Sequence, residues 1–350
     1  MRKRSEQQSA KGGQTSWGRR KIELTIDVTR SVRLRGPQHI AATVHLPDIK
    51  KLHTPPIVIF AAPGGGYNRN YFDLQIPGHE NYSQAEYHTA LGFVFVAYDP
   101  IGVGSSSSPD PPSITFEVLA KANQVAISKV TRLLESGKLD PNFPGLGRFR
   151  RIGLGQAMGG CITILMQAMH TTFDAIAVLG FSAVHTVVPQ PTLEGQRASE
   201  LAFSSYSRDT DLESIKRPFD HHGIQDFIYP FYWEDVPRDI VDADTRGGRP
   251  IRVRSPPWGS GTIPTCGVMM MVRGAVAKEA AAIRVPVLVA GGARDVLPAP
   301  LQEPAAYAQS TDVSLFIVDR MAHAHNFAST RHKLWQRISA WMEMVAKSPE

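Results

Sequence analysis

Apolar positions along the chain fall into short runs whose period changes from place to place. Residues 22–28 and 40–46 alternate apolar and polar side chains on either side of Gly36-Pro37, which predicts two antiparallel strands at a sheet edge. Residues 57–62, 93–98, 174–179, 285–290 and 313–318 are instead almost continuously apolar, as parallel strands covered on both faces are. A shorter run, Ile152-Gly153-Leu154, predicts one more strand, and residues 161–166 continue beyond it as a buried helical segment. Helical stretches are expected at 114–136, 299–309 and 329–346. Strands alternating with helices predict an α/β fold with a mostly parallel, mixed sheet and helices on both faces.

The pattern breaks between residues 184 and 283, where no strand periodicity is evident. An aromatic run at 227–233, the cations Arg246, Arg249, Arg252 and Arg254, and Met269-Met270-Met271 mark this stretch. A loop of that length without structure is improbable in a compact domain, so 184–283 is read as an inserted, mostly helical cap or lid over one end of the sheet. The core then comprises 22–183 and 284–350. Residues 1–21 form a polar tail holding Arg2, Lys3, Arg4, Lys11, Arg19, Arg20 and Lys21 against Glu6 alone.

That tail accounts for the net charge of +6, leaving the body close to neutral. A solvated extension is the simplest reading of it, and a nucleic-acid partner is not expected. The 42% hydrophobic content excludes a disordered chain. No uninterrupted apolar segment approaches the ~18 residues of a membrane span, and none follows Arg19-Arg20 as a secretory signal would require. Cys161 and Cys266 suit neither a disulfide framework nor a metal-ligand spacing. A cytoplasmic protein without metal or cofactor is therefore expected, and its oligomeric state is open.

Candidate chemistry centres on Gly155-Gln156-Ala157-Met158-Gly159. This is a Gly-x-Ser-x-Gly nucleophile elbow in which Ala157 takes the place of the serine. Three other stretches share its context: Ala62-Pro63-Gly64-Gly65-Gly66-Tyr67 after the first parallel strand, Asp99-Pro100-Ile101-Gly102-Val103-Gly104-Ser105 after the next, and a late pair, Gly291-Gly292-Ala293-Arg294-Asp295 and Asp319-Arg320-Met321-Ala322-His323. With these motifs the chain resembles the α/β-hydrolase superfamily over residues 22–346.

The resemblance implies an eight-stranded sheet and a triad in the order nucleophile, acid, base. Ala157 occupies the nucleophile position, Asp295 is the acid and His323 the base. The oxyanion hole is assigned to the backbone N–H groups of Gly65, Gly66 and Met158. Tyr67, Phe231, Tyr232 and Trp233 are expected to line an apolar substrate pocket. The implied activity is serine hydrolysis of an apolar carboxylic ester or lactone through an acyl-enzyme, here in a nucleophile-to-Ala inactive form.

Alternatives remain at this stage. The main rival reading is a natural pseudoenzyme whose pocket binds a ligand, and a minor one is a relative of the dehalogenases and epoxide hydrolases that use an Asp nucleophile. Asp295 alone would also serve as a helix cap, His325 competes with His323, and the aromatic run could be plain core. The arginines are more simply a solvated face than an anion clamp. A dinucleotide-binding reading of Gly153, Gly155 and Gly159 fails, because the motif lies mid-chain and no acidic residue ends the next strand run. Cys161 should face the core.

Overall fold

The computed structural model describes residues 20–215, 226–248 and 252–347. The tail at 1–19, with Arg2, Lys3, Arg4, Lys11 and Arg19, and Arg249 lie outside the described residues. Eight strands form one sheet in the order β1-β2-β4-β3-β5-β6-β7-β8. They span Arg20–Asp27, His39–Leu46, Ile57–Ala62, Val94–Tyr98, Arg150–Gln156, Ala175–Leu179, Val287–Arg294 and Val313–Ala322, numbered β1 to β8 in chain order. β1 with β2 and β2 with β4 pair antiparallel, and every other neighbouring pair is parallel. The alternating hairpin and the continuous apolar runs thus occupy the places their periods require.

Helices α1 (Gln84–Ala90), α2 (Phe116–Ser136), α3 (Met158–His170) and α8 (Arg331–Lys347) cover the sheet. Successive residues of β3 point to opposite faces. Val58, Phe60 and Ala62 join a core with α2 and α3, while Ile57, Ile59 and Ala61 join a second core with α1 and α8. α2 starts where the Thr115 hydroxyl accepts from Val118 N–H and stops at Gly137, whose φ of 69° lies in the left-handed region. Among the described residues no helix is long and apolar enough to cross a membrane.

Topology also places the site. β4 returns to pair on one side of β3 and β5 pairs on the other, so the strand order reverses around β3. Ligands in such sheets bind outside the carboxyl ends of the strands at that reversal. Ala62 lies opposite Gly155 in the β3–β5 ladder, which sets the Gly64-Gly65-Gly66 loop beside the elbow.

Between β6 and β7 the insertion holds the short helices α4 (Leu193–Leu201), α5 (Arg238–Thr245) and α6 (Ala277–Ala282) and several 3₁₀ turns, joined by irregular backbone. Pro-rich and Gly-rich stretches such as Pro256-Pro257-Trp258-Gly259 limit helix length there. α7 is a single turn at Glu303–Ala306.

Two histidines tie the fold's stability to pH. Burial holds the pKa of His45 and of His88 down to about 4 from an ordinary 6.5; Asp73 partly opposes this for His45, and the Gln84 carbonyl for His88. Between pH 6.5 and 4 the unfolded chain therefore binds more protons than the folded one, so stability falls as pH falls through that window. Each site contributes up to about 3 kcal/mol. The thermal midpoint is expected to drop between pH 7 and 5, and His88→Leu to flatten the slope. An unchanged midpoint over that interval would contradict neutral burial of both rings.

Candidate active site

Ala157 joins β5 to α3 with φ 50° and ψ −117°, a backbone conformation that L-residues adopt at a cost of about 1–3 kcal/mol. Its N–H donates to the Leu179 carbonyl at 2.8 Å, and its own carbonyl accepts from Gly160 and Cys161 N–H groups. The flanking glycines are sterically required. A Cβ on Gly155 would lie 2.1 Å from the Gly159 oxygen, and one on Gly159 would lie 2.0 Å from the Ala62 oxygen. Strand, turn and helix therefore form an elbow with a methyl group at its apex.

Asp295 follows the end of β7, and His323 follows β8. Nδ1 of His323 lies 2.6 Å from Asp295 Oδ1. The carboxylate accepts, so the proton sits on Nδ1 and Nε2 carries the ring's lone pair. Asp295 also accepts from Val296 N–H at 2.7 Å and Gly292 N–H at 3.0 Å. Burial pushes its carboxyl upward, but the charge and hydrogen bonds of His325 and His323 outweigh that and hold it well below the usual carboxylate range. Asp295 is thus a permanent anion behind the His323 ring.

His325 uses the other carboxylate oxygen, with Nε2 2.6 Å from Oδ2. The two histidines are not equivalent. His323 lines a cavity of about 150 Å³ together with Ala157, whereas His325 lies behind Asp295, outside that lining. The His323 backbone is fixed by Gln156 Nε2, which donates to its carbonyl at 3.0 Å, and by its own N–H, which donates to Pro230.

Gly65, Met158 and Tyr67 line the same cavity. Neither Gly65 N–H nor Met158 N–H has a hydrogen-bond partner among the described residues. Gly66, read from the motif as a third oxyanion residue, lies outside the lining. Its carbonyl accepts from Ser260 N–H at 2.9 Å and from the Arg252 guanidinium, which anchor the loop to the insertion. Gly64 takes the place beside the elbow, since a Cβ there would lie 3.1 Å from that of Ala157.

Of the four rings expected in the pocket wall, Tyr67 and Phe231 line it. The Phe231 ring meets His323 edge-on at 5.1 Å. Tyr232 and Trp233 lie outside the lining. Tyr232 directs its hydroxyl to Asp244, and Trp233 stacks on the Arg294 guanidinium at 4.5 Å. The insertion supplies most of the remaining wall, through Phe203, Phe227, Ile263, Met270 and Met271. Described residues of 184–283 thus line the cavity that also contains Ala157.

Sequence reasoning missed a buried cluster under this wall. Asp244 accepts from Tyr67 Oη at 2.7 Å, Trp258 Nε1 at 2.7 Å and Arg252 Nη2 at 2.8 Å, and from Tyr232 Oη. Arg252, read as part of a solvated face, is buried here; Arg246 and Arg254 are exposed. The only hint in sequence was the density of arginine and aromatic residues at 227–258. Cys161 is fully buried outside the cavity, and burial pushes its thiol well above the ordinary range. Among the described residues no group of three or more His, Cys, Asp or Glu side chains is arranged to hold a metal ion.

Solved structures that superpose on the chain decide the architecture. A thermophilic esterase from Thermogutta terrifontis superposes with a TM-score of 0.61 at 16% identity, covering 93% of this chain and 100% of that one. The chain has the α/β-hydrolase fold. A haloalkane dehalogenase loop variant from Bradyrhizobium elkanii matches at TM-score 0.57 and 12% identity over 93% of this chain and 97% of its own. The enol-lactonase from Burkholderia xenovorans matches at 0.52 and 14%, over 90% and 99%. No family model and no curated protein sequence matches the chain. At these identities the α/β-hydrolase fold is shared, and the chemistry of each neighbour remains its own.

Proposed function

We propose that the cavity is the acyl site of a carboxylic ester or lactone hydrolase, with the nucleophile position filled by Ala157. One observation carries this reading: Ala157 in elbow geometry and His323 bonded to Asp295 line a single apolar cavity with two unpartnered backbone donors. A hydroxyl at position 157 would attack the carbonyl while His323 Nε2 takes its proton. The N–H groups of Met158 and Gly65 would hold the oxyanion, each worth about 3–4 kcal/mol. With a methyl in that place the chain binds ester or lactone and forms no acyl-enzyme.

Apolar walls favour an aryl or short alkyl substrate. The cavity of about 150 Å³ has room for about one aromatic ring and is open at its mouth, where the rest of a larger ligand can extend. Ala157→Ser is expected to hydrolyse p-nitrophenyl butyrate at least about 10³-fold faster than the parent chain. A folded Ser variant inactive on aryl and alkyl esters, lactones and thioesters would overturn the proposal.

A further inference from the structure

The cavity keeps a base without a group for it to activate. His323 presents Nε2, ordered by Asp295, and among the described residues no serine or cysteine lines the space beside it. The one hydroxyl of an aliphatic side chain in the wall, on Thr186, is directed at the Ser182 carbonyl at 3.5 Å. Apart from His323 and the unpartnered donors at Met158 and Gly65, the surroundings are chiefly Phe, Met, Val and Ile side chains. Gln156 adds a buried, unpartnered Oε1 to the same lining. A ligand carbonyl that takes the Met158 and Gly65 N–H groups displaces water from them, and the group it then presents to His323 is its own α-carbon.

From this geometry we infer that the chain as it stands catalyses proton abstraction from the carbon next to a carbonyl, on small apolar ketones or esters. The ligand carbonyl accepts from Met158 and Gly65 N–H while its α-carbon faces His323. Nε2 takes the α-proton, the C–H electron pair becomes the C=C bond of an enolate, and the carbonyl π pair moves to oxygen. Negative charge gathers where the two backbone donors are fixed, and the imidazolium is stabilised by Asp295. While the enolate is held, the Nε2–H exchanges its proton with solvent at the cavity mouth; return of that solvent-derived proton from Nε2 to carbon restores the carbonyl compound, with no oxidant or reductant consumed.

The small side chain of Ala157 is what makes this possible. A serine there would stand between base and ligand and take the Nε2 hydrogen bond for itself. The inference rests on the reading of the cavity as a carbonyl site, and the test separates the two. The probe is 2-tetralone, a ketone whose C1 protons are acidified by both ring and carbonyl, followed by proton NMR in D₂O.

The parent protein is expected to speed loss of the C1 signal by about 10²-fold or more over buffer. His323→Gln, shown folded by circular dichroism, is expected to return it to the buffer rate. Independently of any variant, deuterium incorporation at C1 read by mass spectrometry should rise in proportion to the concentration of the parent protein. Exchange at the buffer rate, failure of 2-tetralone to bind, or exchange insensitive to His323→Gln would each overturn the inference. Hydrolysis of p-nitrophenyl butyrate by the parent without tetralone exchange would overturn it too, by showing that the base activates water. An active Ala157→Ser enzyme beside an exchange-silent parent leaves the carbonyl site standing and removes only the proton chemistry.

Discussion

Within the Ala157→Ser protein, replacing His323 by Ala is expected to lower kcat/KM for p-nitrophenyl butyrate by about 10³-fold or more. Removing a proton from an aliphatic hydroxyl near neutral pH needs a positioned acceptor, and His323 is the histidine that shares the cavity with residue 157. His325→Ala should cost at least about tenfold less. The Asp295–His323 bond at 2.6 Å and the two backbone donors to Asp295 remain after that change. Steady-state kinetics on both variants check the ranking. The reverse order would place the base at His325 and require the last loop to rearrange.

Asp244→Ala is expected to destabilise the protein by about 3–5 kcal/mol. The carboxylate is fully buried and pairs with the buried Arg252, so its removal strands a charge and the donors of Tyr67, Tyr232 and Trp258. Damage should reach the Gly64-Gly65-Gly66 loop, because Arg252 also donates to the Gly66 carbonyl and lies over the Tyr67 ring, whose hydroxyl donates to Asp244. Urea denaturation gives the first number. Hydrogen exchange gives the second, with Tyr67 and Asn68 amides expected to lose protection; their bonds run to Gly64 and to Trp258 of the insertion. A variant with the parent's midpoint would show that water or relaxation replaces the carboxylate.

Much of the core was readable because buried parallel strands leave a strong mark on sequence. The runs at 57–62, 93–98 and 313–318 each contain an observed strand or overlap most of one. Gly155 and Gly159 were equally legible, since backbone contacts closer than a methyl group allows leave few residues to choose from. The cap was not legible in the same way. Its 3₁₀ turns and irregular segments have no period, so nothing in 227–233 distinguishes Phe231, which faces the cavity, from Tyr232 and Trp233, which do not.

Arg252 illustrates the same limit. Local composition suggested a solvated cation, and only Asp244 on α5 together with the Gly66 carbonyl, 186 residues away in sequence, makes its burial tolerable. Contacts of that separation are set by how the insertion folds back on the sheet. His325 is similar, because two histidines two residues apart look alike until the loop assigns one to the cavity and one to the rear of Asp295.

Residue 157 stands at the apex of an elbow and shares one cavity with His323, bonded to Asp295, and with two unpartnered backbone donors. A fluorophosphonate reaches that arrangement directly, because its phosphorus bonds to an activated serine oxygen as fluoride leaves and the hydroxyl proton passes to the base. Intact-mass analysis of the Ala157→Ser protein should show one adduct per chain, mapped to position 157 by peptide sequencing, much slower to form with His323→Ala added and absent from the parent. A folded Ala157→Ser protein that stays unlabelled, or that is labelled at a different residue, would contradict the account.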